Sequence, residues 1–209
     1  MSCRFYWPVL RCPSLAGFGC PPRDLRHDHR RALFADLLRI INDNKRFSIA
    51  ATLTTDLYKQ RFSEAFTENE MGVYGMCFLV LAVMLGKHAE ATGYQEKIPF
   101  LMDTGNPYKG HVVDVHKFLT TSFQDIYPVH AGRLTFSTDT DDCALEAADL
   151  IAWTVRRKLV GRFDHGFEPL VDLLAEQHME QQLEDEVMNK IATAIHHRKK
   201  TGNWPPQGE

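Results

Sequence analysis

The chain has 209 residues, of which 44% are hydrophobic and 24% charged, and its formal net charge is -3. A chain of this length normally forms one domain, or one domain with an appendage, and it buries enough surface to need no disulfide or metal for stability. The mildly acidic balance argues against a protein that coats DNA non-specifically. It does not exclude a nuclease, because local Lys/Arg clusters and bound cations can offset it.

Cysteine usage and hydropathy indicate a cytoplasmic protein. The five cysteines are odd in number and include no CxxC pair, which favours reduced thiols. No apolar run reaches the roughly 20 residues needed to span a bilayer, and the longest covers residues 76–85. Arg11 and Pro13 interrupt the only apolar stretch near the N-terminus, so a signal peptide is not expected. We therefore expect no association with membranes.

The first half of the chain predicts an irregular segment followed by helices and one strand. Residues 1–22 are rich in Cys, Pro and Gly and show no periodicity. Residues 24–44 have a helical apolar stripe, and residues 46–54 form a β-branched run typical of a strand. A short helix is predicted to follow Thr54 and Thr55 and to continue through Phe66. Residues 68–92 predict a buried helix that ends at Gly93.

The second half alternates strands with helices. Strands are predicted at residues 96–103 and 133–137, and helices at residues 109–127 and 141–160. Pro99 indicates an edge position or a bulge in the first of these strands. From Phe167 the rest of the chain is predicted to be helical, with one apolar face formed by Met179, Leu183, Val187, Ile191 and Ile195. The alternation predicts an α/β fold in which a mixed sheet is flanked by helices.

Asp103 is the first candidate for a functional residue. It ends a predicted strand, and functional groups in open α/β sheets gather beyond the carboxyl ends of strands. The Thr-Gly-Asn-Pro loop that follows leaves the carboxylate accessible. The alternative is that Asp103 caps this turn through a hydrogen bond between its side chain and the backbone. The sequence leaves both interpretations open.

The second candidate is the helix that carries Asp149. At about 100° per residue, Asp142, Glu146, Asp149 and Trp153 fall within roughly 60° of one another. The neighbours of Asp149 are apolar, and a bare carboxylate in apolar surroundings costs free energy unless it is paired or bound to a metal. The alternative is a solvated helix face. Two or three carboxylates at a strand end and on a helix are the ligands that Mg²⁺ prefers, and two such ions can hold a phosphodiester during hydrolysis.

Other chemistry has weaker support in the sequence. His111, His116 and His130 lack the spacing of a zinc site, and the chain has no P-loop, GxGxxG or GxSxG motif. No nucleophile–base pair is predicted. The basic group at residues 156–158 could contact phosphate, but a charge cluster on a helix is usually a solvated face.

Three stretches, residues 23–62, 74–110 and 134–159, resemble the bacterial domain of unknown function 3800 family. The most specific parts are the strand that ends in Asp103 and the Ala-Asp-Leu-Ile-Ala-Trp segment around Asp149. The resemblance implies a ribonuclease H-like fold, nucleic acid as the partner, and metal-dependent phosphodiester hydrolysis with Mg²⁺ or Mn²⁺. It also implies that Asp103 and Asp149 are acidic site residues, and it places Glu146 where the family often has Gln.

The resemblance ends at the N-terminus. Family members usually begin with a strand that carries an Asp-Glu-Ser motif, and nothing in residues 1–22 matches it. The resemblance therefore implies a nuclease-like protein that is inactive through loss of an acidic metal ligand. The alternative is a catalytically dead protein-interaction module that retains the fold. A truncated or frame-shifted reading frame would explain the break in composition.

The resulting domain prediction has three parts. Residues 1–22 form an irregular segment, residues 23–161 a ribonuclease H-like α/β domain, and residues 162–209 a helical C-terminal extension. The helices of that extension offer a surface for homo-oligomer formation. A small-molecule-binding protein is a third functional class, for which the sequence has no specific feature.

Overall fold

Helices and short strands alternate along the chain. The structure, a computed structural model, describes residues 27–45, 47–62, 72–121, 130–138, 141–161, 170, 178–183 and 185–202. The elements are α1 (His27–Asn44), β1 (Ser48–Thr52), α2 (Thr55–Phe62), α3 (Val73–Ala91), β2 (Ile98–Asp103), α4 (Lys109–Thr121), β3 (Ala131–Ser137), α5 (Cys143–Leu159), β4 (His178–Gln182) and α6 (Asp185–Thr201). The predicted irregular segment at residues 1–22 lies outside the described residues.

The strands form two parallel pairs. β1 pairs with β4, and β2 pairs with β3. Parallel neighbours need a crossover connection, which α4 supplies between β2 and β3. The predicted α/β class is confirmed, with short parallel strands flanked by helices. Among the described residues the strands form two separate two-stranded sheets, whereas the sequence predicts a single mixed sheet.

Helix α3 is the centre of the main core. Met76, Cys77 and Ala82 are fully buried, and the helix packs against β1 and α4. Phe78 of α3 makes an edge-on ring contact with Phe100 of β2, with the ring centroids 5.2 Å apart. One cluster of buried apolar side chains thereby contacts both sheets. This confirms that the apolar stretch before Gly93 forms a buried helix.

The same helix is long and apolar enough to cross a bilayer, judged by length and composition. Its 18-residue window has a mean hydropathy of 1.3, although the longest unbroken apolar run is shorter. In the structure 56% of that window is buried against other elements. Core helices of globular proteins meet the same criteria, so one such helix is weak evidence for a membrane span.

Several helix ends lie where their capping residues predict. Thr54 Oγ1 accepts a hydrogen bond from Leu57 N–H at the start of α2. Asp142 caps α5, because its Oδ1 accepts from Ala144 N–H at 3.1 Å. Gly93 follows α3 with a φ of 70°, a conformation that favours glycine after a helix.

The predicted irregularity at Pro99 is a bulge. The register of β2 against β3 shifts between Ile98 and Phe100, so Pro99 falls where the ladder is interrupted. Two residues of β3, Gly132 and Arg133, oppose Pro99, so the extra residue belongs to β3. A Cβ atom at Gly132 would be 2.8 Å from Ile98 O. Only a glycine allows the two backbones to approach this closely.

The prediction that the chain is helical from Phe167 onward is wrong for residues 178–182. These residues form β4, and Ser48 to Thr52 pair in register with His178 to Gln182. Met179 and Leu183 are four residues apart, which is one helical turn but also two strand repeats, so their spacing fits either structure. Residues 178–182 adopt the strand and not the helix because they pair with β1. Ile191 and Ile195 do lie in a helix and pack on the main core.

Candidate functional site

Strands β2 and β3 end together at one edge of their sheet. Asp103 and Ser137 are the last residue pair of the ladder, and Thr104 N–H donates to Ser137 O at 2.8 Å. Helices α4 and α5 both begin beyond this edge. The sequence prediction that Asp103 lies at the carboxyl end of a strand is therefore confirmed.

The Asp103 side chain is exposed and also stabilises the turn after β2. Its Oδ1 accepts a hydrogen bond from Gly105 N–H at 2.9 Å. Asn106 makes the same kind of hydrogen bond with the residue two positions after it, since its Oδ1 accepts from Tyr108 N–H at 2.8 Å. The turn-capping interpretation of Asp103 is thus realised in the structure. Solvent access to the carboxylate remains, so the two interpretations are compatible.

A short connection links β3 to α5 at the same edge. Thr138 O accepts from the backbone N–H groups of Asp141 and Asp142, at 3.2 and 3.1 Å. Thr138 Oγ1 donates to the Asp141 carboxylate. Asp142 is the N-cap of α5, whereas Glu146 and Asp149 lie within the helix and do not cap it.

Glu146 and Asp149 lie on the exposed face of α5. The opposite face is buried and includes Ala147 and Ile151, which pack against α1. Asp149 is exposed, so its carboxylate does not lie in the apolar surroundings that its sequence neighbours predict. The helix places its apolar neighbours on other faces. Of the predicted stripe, Glu146 and Asp149 are exposed, whereas Asp142 and Trp153 are half-buried and Trp153 packs against the cluster that contains Ile151.

The structure brings α5 against β2, the strand that carries Asp103. That contact is consistent with a shared site, and we predict that the Asp103 and Asp149 carboxylates approach within roughly 5–8 Å, close enough to share a metal directly or through water. Within the described part of the chain, no group of three or more His, Cys, Asp or Glu side chains is arranged to hold a metal ion. The described residues therefore do not supply a three-ligand metal site on their own.

An aromatic group lies at the start of α4, directly after the Asp103 turn. The rings of Tyr74 and Tyr108 are 5.9 Å apart, as are those of Tyr108 and His111. His111 also fills the space beside Gly72, where a Cβ atom would be 2.6 Å from its ring. Tyr108 is 43% exposed. The sequence analysis did not identify this group, because Gly72 and His111 are distant in sequence.

A Ser–His pair that no local sequence pattern indicates lies between β1 and β4. Ser48 Oγ lies 2.8 Å from His178 Nδ1 across the β1–β4 ladder. These residues are 130 positions apart, and only the parallel pairing of the two strands brings them together. Ser48 is fully buried, so its hydroxyl is inaccessible to a substrate. Burial lowers the pKa of His178, and the positive charges of Lys45 and Lys158 add to this, whereas Glu180 opposes it.

Comparison of the chain with protein-family models, with curated proteins and with solved structures gives no significant match. The resemblance to the domain of unknown function 3800 family therefore depends on the quoted segments alone.

Proposed function

We propose that the chain is a nuclease-like protein with a ribonuclease H-like arrangement, whose site lies at the carboxyl edge of β2 and β3. The observation that carries this proposal is the exposed Asp103 at the end of β2, on the strand that α5 packs against. Asp149 on the exposed face of α5 is the second proposed ligand, and Glu146 lies one helical turn before it. The substrate class is nucleic acid, as the family resemblance implies.

The chemistry of these side chains suits one weakly bound divalent cation. Carboxylate oxygens are hard ligands, and Mg²⁺ commonly uses one or two of them and completes its shell with water and substrate phosphate. Exposed carboxylates keep their own hydration, so a cation gains less at this site than in a buried one. Phosphodiester cleavage by this chain is therefore expected to be slow or undetectable.

Calorimetric titration with Mn²⁺ tests the site. We expect weak binding of one ion, lost in Asp103→Asn and in Asp149→Asn, because each variant removes one negative ligand and keeps the side-chain shape. Asp56→Asn, a change to an exposed aspartate in the first turn of α2, is the matched control and is expected to bind as the parent does. Equal binding by all four proteins would contradict the proposed site.

Cleavage of labelled single- and double-stranded DNA and RNA with Mg²⁺ or Mn²⁺ tests the activity. A slow cleavage that disappears in Asp149→Asn supports the proposal. Robust cleavage that is lost in the same variant would show that the acid set is complete without an N-terminal carboxylate. Cleavage that survives Asp149→Asn would place the active site elsewhere or indicate a contaminant.

The second candidate function is a catalytically dead interaction module. The hydrogen bond from Gly105 to Asp103 favours it, since it gives this carboxylate a structural reason to be present. A parent chain that binds no Mn²⁺, and folds equally well as Asp149→Asn, would favour this candidate over the nuclease-like one.

A further inference from the structure

His178 occupies the first position of β4, opposite Ser48 at the first position of β1. Its Nδ1 shares a hydrogen bond with Ser48 Oγ at 2.8 Å, and Ser48 is fully buried. This pair is a side-chain link between the two strands in addition to their backbone ladder. The protonation state of the His178 ring therefore affects the stability of the β1–β4 pairing.

The second ring nitrogen of His178 suits a neutral ring and not a charged one. His178 Nε2 is buried and has no hydrogen-bond partner among the residues that the structure describes. A neutral imidazole that donates its one N–H from Nδ1 to Ser48 carries no proton on Nε2, whereas an imidazolium adds an N–H at Nε2 and a full charge. Protonation in this position would bury a charge and leave a donor unsatisfied, and both are costly.

The charged groups around the ring come from three elements. Lys45, only 5% exposed, follows α1, and Lys158 extends from α5. Both disfavour a positive charge on His178, whereas Glu180 on the same strand favours it. Glu180 is already paired with Lys158 Nζ at 3.1 Å, which reduces its ability to balance a second cation. Burial, the largest effect, acts in the same direction as the two lysines.

Strand β4 and helix α6 are consecutive elements, and both contribute side chains to the main core. Leu183 N–H donates to Thr52 O at 2.9 Å at the far end of the ladder, and Leu183 itself is buried in the main core. Helix α6 packs against α2 and contributes Ile195 to that core. An event that weakens the β1–β4 interface therefore loosens a unit that closes one side of the core.

We propose that protonation of His178 on mild acidification releases β4 and α6 from β1, so that pH switches the docking of this C-terminal unit. The neutral ring holds the interface through Ser48. The charged ring is repelled by Lys45 and Lys158 and is hydrated once the strand has opened. The pKa of His178 is lower in the docked state than in the open state, so the open state binds more protons as the pH falls. Acid therefore shifts the equilibrium toward the open state.

Amide hydrogen exchange of the full chain tests the switch. Between about pH 7.5 and about pH 5.5, the protection factor of the Leu183 amide is expected to fall by about tenfold relative to the amides of β2. This is the largest change that uptake of one proton can produce when the ring has its ordinary pKa of 6.5 in the open state. Protection factors already remove the intrinsic pH dependence of exchange. An equal change at Leu183 and in β2 would overturn the proposal, because it would indicate general acid unfolding.

Two variants separate His178 from other histidines. His178→Asn keeps a side chain that can bond to Ser48 but cannot be protonated, so the relative fall is expected to vanish. His116→Asn is the matched control, since His116 is also half-buried and hydrogen-bonded, to Gly132 O at 2.8 Å, and the fall is expected to persist there. A fall that persists in His178→Asn would overturn the proposal. If that variant does not fold, NMR titration of the His178 ring in the parent decides, and a pKa at or above 6.5 would overturn it.

Discussion

The Asp103 side chain has a backbone role in addition to its accessible charge. Oδ1 of Asp103 stabilises the turn after β2 by accepting a hydrogen bond from Gly105 N–H. A bound cation would interact with the negative charge of the same carboxylate. Neutralising this side chain and truncating it therefore have different consequences. The difference allows its structural and functional roles to be measured separately.

We expect Asp103→Asn to unfold at nearly the same urea concentration as the parent, because the amide oxygen still accepts from Gly105. Asp103→Ala removes the acceptor and is expected to lower the free energy of unfolding by about 1 kcal/mol or less, since the bond is exposed. Urea denaturation followed by circular dichroism measures both. A loss in Asp103→Asn as large as that in Asp103→Ala would show that the charge, and not the hydrogen bond, stabilises the turn.

Among the elements, the bulge in β3 opposite Pro99 requires a small residue at Gly132. A Cβ atom at Gly132 would be 2.8 and 2.9 Å from the backbone O and C of Ile98. Backbone atoms within a paired strand cannot move aside as a flexible side chain can. Gly132→Ala is therefore expected to lower the free energy of unfolding by about 1–3 kcal/mol.

Gly110→Ala is the matched control for this substitution. Gly110 lies in the first turn of α4, and a Cβ atom there would meet nothing within 4 Å. Because alanine has the higher helix propensity, this variant is expected to be stabilised by a few tenths to about 1 kcal/mol. Thermal unfolding of the two variants beside the parent checks the pair of predictions. A Gly132→Ala protein as stable as Gly110→Ala would contradict the close approach of β2 and β3.

Local sequence signals predicted most elements up to α5, because capping residues and periodicity act within a few residues. Pro99 indicated the bulge, and Asp142 lies at the N-terminus of α5 as expected. β4 was missed because its identity depends on β1, more than 100 residues earlier. The exposure of Asp149 was missed for a related reason. Adjacent apolar residues on a helix point to different faces, and only packing shows which face is buried.

At the scale of the whole molecule, the two sheets share one core through α3, and the proposed site depends on only one of them. The carboxyl edge of β2 and β3 carries Asp103, and α5, which contacts β2, carries Glu146 and Asp149 on its exposed face. The Ser48–His178 pair belongs to the other sheet. Cation binding and the response to acid are therefore expected to be separable by mutation.

Paramagnetic broadening by Mn²⁺ in NMR spectra tests whether Asp103 and Asp149 bind the same cation. Substoichiometric Mn²⁺ is expected to broaden the amide signals of residues 103–105 and 146–150 together, because its effect extends only to nearby nuclei. Asp149→Asn is expected to remove both effects, and Asp56→Asn neither. Broadening of one segment without the other, or of neither, would contradict the account.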